Sequence, residues 1–227
     1  MSIKKKYRVE VITFGQSKEW LLYKHYAKRI PPVEFAFGLF NEQKILCGCI
    51  TYGTPSSSPL RGIFNNEFKL IELNRLVIDE DTDKNCLSFL VSKSLQMLPN
   101  PLVVISYADT SQGHHGYIYQ ATNFIYTGLS AKRTDWKIKG MEHLHGTTIA
   151  DLSKGKDNRG KFMRDTYGDD FYLGERPRKH RYFMFLGNKY QIKRMKEILP
   201  YSIESYPKGE NKRYDSSYKP NVQLKMF

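Results

Sequence analysis

Cysteine is scarce, with three residues in 227, and an odd number excludes a fully paired disulfide framework. Cys47 and Cys49 alternate on a predicted strand and lack the spacing of a zinc knuckle or redox motif, so all three cysteines read as core or surface thiols. Long apolar runs are missing too: none approaches the length that spans a bilayer, and Met1-Ser2-Ile3-Lys4-Lys5-Lys6 has no apolar signal core. No membrane partner is expected. Acidic charge is also in deficit, with 23 Asp/Glu against 36 Lys/Arg and a net charge of +13.

What remains is the composition of a packed globule, 40% hydrophobic and 14% aromatic. The charge is uneven: residues 1–130 carry 14 Lys/Arg against 11 Asp/Glu, while residues 131–227 carry 22 against 12. A basic second half suits a phosphate backbone, because each neutralised phosphate releases counterions. Solubility or an acidic protein partner is the competing explanation.

Hydrophobic period predicts a strand over Tyr7–Phe14, then a helix from Lys18 to about Arg29 with Ser17 as its cap, stopped by Pro31-Pro32. Glu34–Phe40 and Lys44–Tyr52 predict a hairpin, Leu70–Ile78 a strand, and Lys84 to about Leu98 a helix capped by Asp83. A buried strand at Leu102–Tyr107, a short helix near Gly113–Thr122 and a strand at Phe124–Tyr126 follow; Arg181–Leu186 and Lys189–Leu199 close the pattern as strand and helix. The expected fold is α/β, an acetyltransferase-like mixed central sheet, splayed at its centre and flanked by helices. The expected organisation is one catalytic domain over residues 1–208, carrying a basic, loop-rich insertion at about 129–179, with a polar tail over 209–227.

Two chemistries lack their signatures. Acetyltransferases of this topology hold the coenzyme A diphosphate on a Gly-rich loop entering the second main helix. Here that junction is Asp79-Glu80-Asp81-Thr82-Asp83-Lys84-Asn85, with four acids and no glycine, which argues against standard acetyl-coenzyme A binding. Adenine methyltransferases need an Asn/Asp-Pro-Pro-aromatic clamp, and Pro31-Pro32 is flanked by Ile30 and Val33.

The chemically dense segment is Ser106-Tyr107-Ala108-Asp109-Thr110-Ser111-Gln112-Gly113-His114-His115-Gly116-Tyr117-Ile118-Tyr119. It closes an apolar strand, and strand ends are where α/β sheets place ligands. Asp109 is either a reactive carboxylate or the cap of the short helix. His25 and Tyr26 are either functional or ordinary helix-face residues one turn after Leu21 and Leu22. Arg75 is either a salt-bridge partner or an anion holder, and Ser88 alone would be unremarkable.

Together, His25-Tyr26-Ala27-Lys28-Arg29, Phe35-Ala36-Phe37-Gly38, Glu72-Leu73-Asn74-Arg75-Leu76, Asn85-Cys86-Leu87-Ser88-Phe89-Leu90, Ser106-Tyr107-Ala108-Asp109, Gly113-His114, Ile118-Tyr119-Gln120-Ala121-Thr122-Asn123-Phe124 and Lys179-His180-Arg181-Tyr182 resemble the Mom family of bacteriophage DNA-modification proteins. The likeness runs from about residue 7 to residue 208 and is weakest over Leu129–Lys179. It implies conversion of adenine in double-stranded DNA to N6-carbamoylmethyladenine, which shields phage DNA from restriction in the cytoplasm of the bacterial host. It also implies essential roles for His25, Tyr26, Arg75, Ser88, Asp109 and Tyr119. Iron is the implied cofactor, with His25, Tyr26 and Asp109 as its oxygen and nitrogen ligands and His114 able to complete the set. Such an enzyme must flip its base from the duplex, and Tyr107, Tyr117, Tyr119 and Tyr126 offer rings for stacking. Lys154, Lys156, Arg159, Lys161, Arg176, Arg178 and Lys179 are the expected backbone contacts. The competing functions are an acyl-coenzyme A-dependent N-acetyltransferase of a small amine or protein, and a non-catalytic DNA-binding protein. The donor and target sequence are not legible; a homodimer is the assembly considered.

Overall fold

Phe35-Ala36-Phe37-Gly38-Leu39-Phe40 is apolar without interruption, as a strand covered on both faces must be. In the computed structural model, which describes residues 2–144 and 146–209, this run lies inside a seven-stranded mixed sheet. The chain divides into two units, one holding the residues up to Leu129 and from Lys179 onward, the other Ser130–Arg178.

The first unit begins with α1 (Ile3–Lys6), β1 (Arg8–Val11), α2 (Phe14–Glu19), β2 (Phe35–Phe40), β3 (Leu46–Gly53), α3 (Ser58–Arg61) and β4 (Leu70–Ile78). It continues with α4 (Cys86–Met97), β5 (Leu102–Asp109), α5 (Tyr117–Ala121) and β6 (Ile125–Leu129), and closes with β9 (Lys179–Leu186) and α8 (Lys189–Ile198). Sheet order is β1-β2-β3-β4-β5-β9-β6. One face packs Ile71, Leu73, Val104 and Tyr182 under Leu90, Val91 and Leu95 of α4. The other packs Val103, Ile105, Phe183 and Phe185 under Met195 of α8.

The splay at the sheet's centre has a definite origin. Parallel β4 and β5 pair only over Leu70–Glu72 with Val103–Ile105. Beyond that point β4 follows β3 as far as Ile78 while β5 follows β9 as far as Asp109, so the two strands part. Ser106 closes the apex, its hydroxyl donating to the Leu73 carbonyl at 3.0 Å.

Two helix starts differ from expectation. Thr13, not Ser17, caps α2, in a reciprocal capping box with Gln16. The helix then widens into a π-type turn over Trp20–Lys24 and ends with His25 in extended backbone, so His25 and Tyr26 lie beyond the helix rather than on its face. At α4 the cap is Asn85 in left-handed backbone, φ 73°, two residues after the expected Asp83.

The second unit, expected to be loop-rich, is instead built from β7 (Arg133–Ile138), α6 (Gly146–Asp151), α7 (Arg159–Tyr167) and β8 (Phe171–Arg176). Strands β7 and β8 form an antiparallel pair over a small core of Ile138, Ile149 and Met163. The weak periodicity followed from short elements and a core of few residues. Nor is this segment the basic centre of the second half: residues 130–178 carry 11 Lys/Arg against 8 Asp/Glu, and residues 179–227 carry 11 against 4. The expected tail lies almost wholly outside the described residues.

Candidate active site at the splayed strands

The loop after the π-type turn is fastened to the sheet. Asn74 Nδ2 donates to the Pro32 carbonyl at 2.7 Å, and Thr51 Oγ1 donates to Asn74 Oδ1 at 2.6 Å. A Cβ at Gly53 would overlap the Pro32 carbonyl, so glycine lets this loop lie against β3. His25 is thereby buried at 5% exposure, with its ring stacked on Tyr26 at 4.4 Å. Ala27 N–H donates to His25 Nδ1 at 3.1 Å, so the neutral ring carries its proton on Nε2. Burial, then the positive charges of Arg75 and His114, draw the His25 pKa down to about 3.

Arg75 stands on β4 opposite Thr51, its Nη1 donating to the Asn74 carbonyl at 2.6 Å while its buried Nε has no partner among the described residues. Burial lowers its pKa, against the influence of Tyr26 and Glu72. Tyr26 is pushed up by burial and by the Asp109 carboxylate, against Arg75.

Asp109 ends β5. Its Oδ1 accepts from the Ser111 amide at 3.0 Å and hydroxyl at 2.7 Å, and Lys179 Nζ lies 3.2 Å from Oδ2. Burial alone would raise this carboxyl, but the Ser111 hydrogen bonds and Lys179 outweigh it and hold the pKa below its ordinary value. Asp109 thus does cap the short turn Thr110–Gln112, and the same carboxylate acts on Tyr26 and His114.

Tyr119 is buried on α5, its ring 5.2 Å from Tyr182 and 5.3 Å from Phe124. Its hydroxyl is hydrogen-bonded to Ser106 and influenced by Tyr26 and Glu72, and burial raises its pKa. Because the Ser106 proton goes to Leu73, the Tyr119 hydroxyl supplies the proton of the bond to Ser106. Gly116, at φ 77°, precedes α5; a Cβ there would run into the Tyr182 ring.

Five of the six expected essential residues, His25, Tyr26, Arg75, Asp109 and Tyr119, therefore act on one another electrostatically around the splay. Ser88 is not drawn in: on the first turn of α4, its hydroxyl donates to the Asn85 carbonyl at 2.9 Å. Two participants had no role at this site in the sequence reading. Lys179, expected on DNA, is the partner of Asp109, and Glu72 lies at the apex. The spacing of Glu72 and Arg75 on one strand was the available signal.

An iron at His25, Tyr26 and Asp109, as the resemblance implies, would have to compete with bonds these residues already make. Nδ1 of His25 is taken by Ala27, both Asp109 oxygens are engaged, and the cations Arg75 and Lys179 adjoin. Among the described residues no group of three His, Cys, Asp or Glu is placed to hold a metal ion. The charges favour an anion. Near the start of α4 the acids are neutralised by the chain's own lysines, Asp79 by Lys24 at 2.5 Å and Asp83 by Lys6 at 2.9 Å. No helix among the described residues is long and apolar enough to cross a membrane.

In the second unit the expected DNA contacts are partly occupied. Arg159 donates to Ser153 Oγ at 3.0 Å and to the Ala150 carbonyl, and lies over Trp136. Lys156 lies over Phe162, Lys161 pairs with Asp165 at 2.7 Å, and Arg176 lies 3.7 Å from Asp135. Arg178 donates to the Ser130 carbonyl at 2.6 Å, and Lys154 is exposed.

Among solved structures, the chain is similar to a spermidine N-acetyltransferase from Vibrio cholerae, 9% identical, covering 84% of this chain and 97% of that one, with a TM-score of 0.46. It is also similar to a Bacillus subtilis acetyltransferase in complex with CoA, 13% identical, covering 80% and 99%, with a TM-score of 0.44. Among curated proteins it is 28% identical over 212 residues to the methylcarbamoylase mom of Escherichia phage Mu, covering 90% of this chain and 85% of the relative. The model of the Mom protein family matches residues 6–208, nearly the whole length, and the chain belongs to that family.

Proposed function

We propose that the chain transfers a carbamoylmethyl group to N6 of adenine in double-stranded DNA, and that the product shields phage DNA from restriction in the host cytoplasm. The observation that carries this reading is the convergence of His25, Tyr26, Arg75, Asp109 and Tyr119 at the splay, in a chain of the Mom family. A methylcarbamoylase is what the Mu relative is named.

Each residue has a part in that reaction. Adenine N6 is sequestered inside a stacked duplex, so the base must be turned out and received by rings, here Tyr26 and the Tyr119 ring. Arg75, with an unpartnered Nε, and Lys179 favour negative charge on the incoming donor. Asp109, its pKa held below its ordinary value by Ser111 and Lys179, supplies a fixed negative charge. Neutral His25, stacked on Tyr26, orients that ring. Lysines such as Lys154 and Lys156 would hold the phosphates of the duplex.

Mass spectrometry of nucleosides from bacteria expressing the chain tests this. The expected result is a deoxyadenosine heavier by one carbamoylmethyl group, in DNA resistant to some adenine-cutting restriction enzymes. Unmodified nucleosides from abundant folded protein would sink the reading. An acetylated amine product with unmodified DNA would favour an acetyltransferase instead.

A further inference from the structure

Glu72 occupies a position that neither family motif nor charge pattern assigns a task. It faces Ile105 across the last parallel pair of β4 and β5, and Gly53 on its other side, so it stands where the strands begin to part. Glu72 as a residue is of intermediate exposure. Its carboxylate receives a hydrogen bond from the Ser56 backbone, is influenced by Arg75 and Lys179, and acts on the Tyr119 hydroxyl.

Two carboxylates thus serve one site with opposite tuning. Asp109 is held low by Ser111 and Lys179. Burial raises Glu72 in spite of Arg75, Lys179 and Ser56. Environments that push two acids apart separate a fixed charge from a proton acceptor.

We infer that Glu72 is the catalytic base, accepting the proton that the adenine amine releases as its nitrogen forms the new bond. The inference rests on the adenine-modification reading. The donor is an electrophilic carbamoylmethyl compound: the N6–carbon bond forms, the carbon–leaving-group bond breaks, and the leaving group departs with that electron pair. One N6 proton passes to the Glu72 carboxylate, and nothing is oxidised or reduced. Asp109 stays ionised throughout and does not exchange this proton.

The test compares the full chain with Glu72→Gln and Glu72→Asp, following modified deoxyadenosine in plasmid DNA by mass spectrometry. Assays use clarified bacterial extract as donor source, from pH 5.5 to 8.5. Thermal unfolding checks that each variant folds. Glu72→Gln is expected to slow modification about 100-fold or more, the range of general-base catalysis, and to abolish the acidic limb of the pH–rate profile. Glu72→Asp is expected to restore part of the rate and the limb, which a merely structural carboxylate would not do. A folded Glu72→Gln with wild-type rate and limb overturns the inference. Should Glu72→Gln fail to fold, an acidic limb unmoved in Glu72→Asp overturns it as well. Failure of the unaltered chain to modify DNA is separately visible and removes the adenine reading itself.

Discussion

Lys179 Nζ lies 3.2 Å from Asp109 Oδ2, and the same two residues face each other in the backbone register of β5 and β9. The ion pair therefore locks the end of one strand to the start of another at the mouth of the splay. Lys179 is a third exposed, so its value to global stability is small. Its influence on the carboxylate is local and larger, because Asp109 is mostly buried.

Lys179→Met should therefore act on chemistry before stability. Burial would then work on Asp109 with Ser111 alone opposing it, and the carboxyl pKa should rise. Carboxyl carbon NMR of the folded protein measures that rise directly. Modification in cells should fall about tenfold or more, since one pKa unit corresponds to about 1.4 kcal/mol between protonation states. An unchanged carboxyl titration would show that Ser111 suffices.

His25 gives a prediction in pH. Its pKa is drawn down to about 3, so folded His25 stays neutral where the unfolded imidazole, near its ordinary 6.5, takes a proton. Its contribution to stability is complete above about pH 6.5 and is lost as pH falls toward about 3. His25→Gln should remove this component. Urea unfolding between pH 6 and 4 should show wild type losing up to about 1.4 kcal/mol more per pH unit than the variant. His114 and His180, also lowered by burial, are present in both proteins and cancel in the difference.

The strands were legible because their side chains are apolar and continuous: β2, β4 and β9 fall within two residues of expectation. Helix α2 was displaced because a capping box at Thr13 and Gln16 outweighed the Ser17 cap, and the π-type turn removed His25 from the helix face. Most of the site residues were legible through family motifs. Glu72 lay inside one of those motifs without a role, because one carboxylate on a strand looks ordinary until the parting of β4 from β5 leaves it at an apex. The pairing of Lys179 with Asp109 was not legible for a related reason: Asp109 lies 70 positions earlier, and only the β5–β9 pairing joins them.

The second unit separates DNA contacts from structural cations. Arg159 bonds Ser153 and Ala150 and lies over Trp136, so Arg159→Ala should lower the unfolding midpoint, by about 1 kcal/mol if measured by urea titration. Lys154→Ala with Lys156→Ala should leave folding nearly intact. That pair should weaken binding to all duplex sequences and reduce the salt slope by about one unit per lost phosphate contact. Filter binding from 50 to 200 mM salt measures this, and an unchanged slope would remove these lysines from the interface.

Tyr119 is the sharpest separation of packing from chemistry. Its ring is wedged between Tyr182 and Phe124, at 5.2 and 5.3 Å, while its hydroxyl gives its proton to Ser106. Tyr119→Phe keeps the ring and removes one buried hydrogen bond, so stability should fall by only about 1 kcal/mol. Ser106 remains satisfied as a donor, since its hydroxyl still bonds the Leu73 carbonyl. With its proton committed, the Tyr119 hydroxyl cannot serve as the proton donor of the reaction unless Ser106 releases it. If the ring receives the adenine, Tyr119→Phe should keep substantial modification while Tyr119→Ala abolishes it. If the hydroxyl itself reacts, both variants should be inactive. Nucleoside mass spectrometry on the two variants, each checked for folding by thermal unfolding, decides between them, and the commitment of the proton to Ser106 favours the ring.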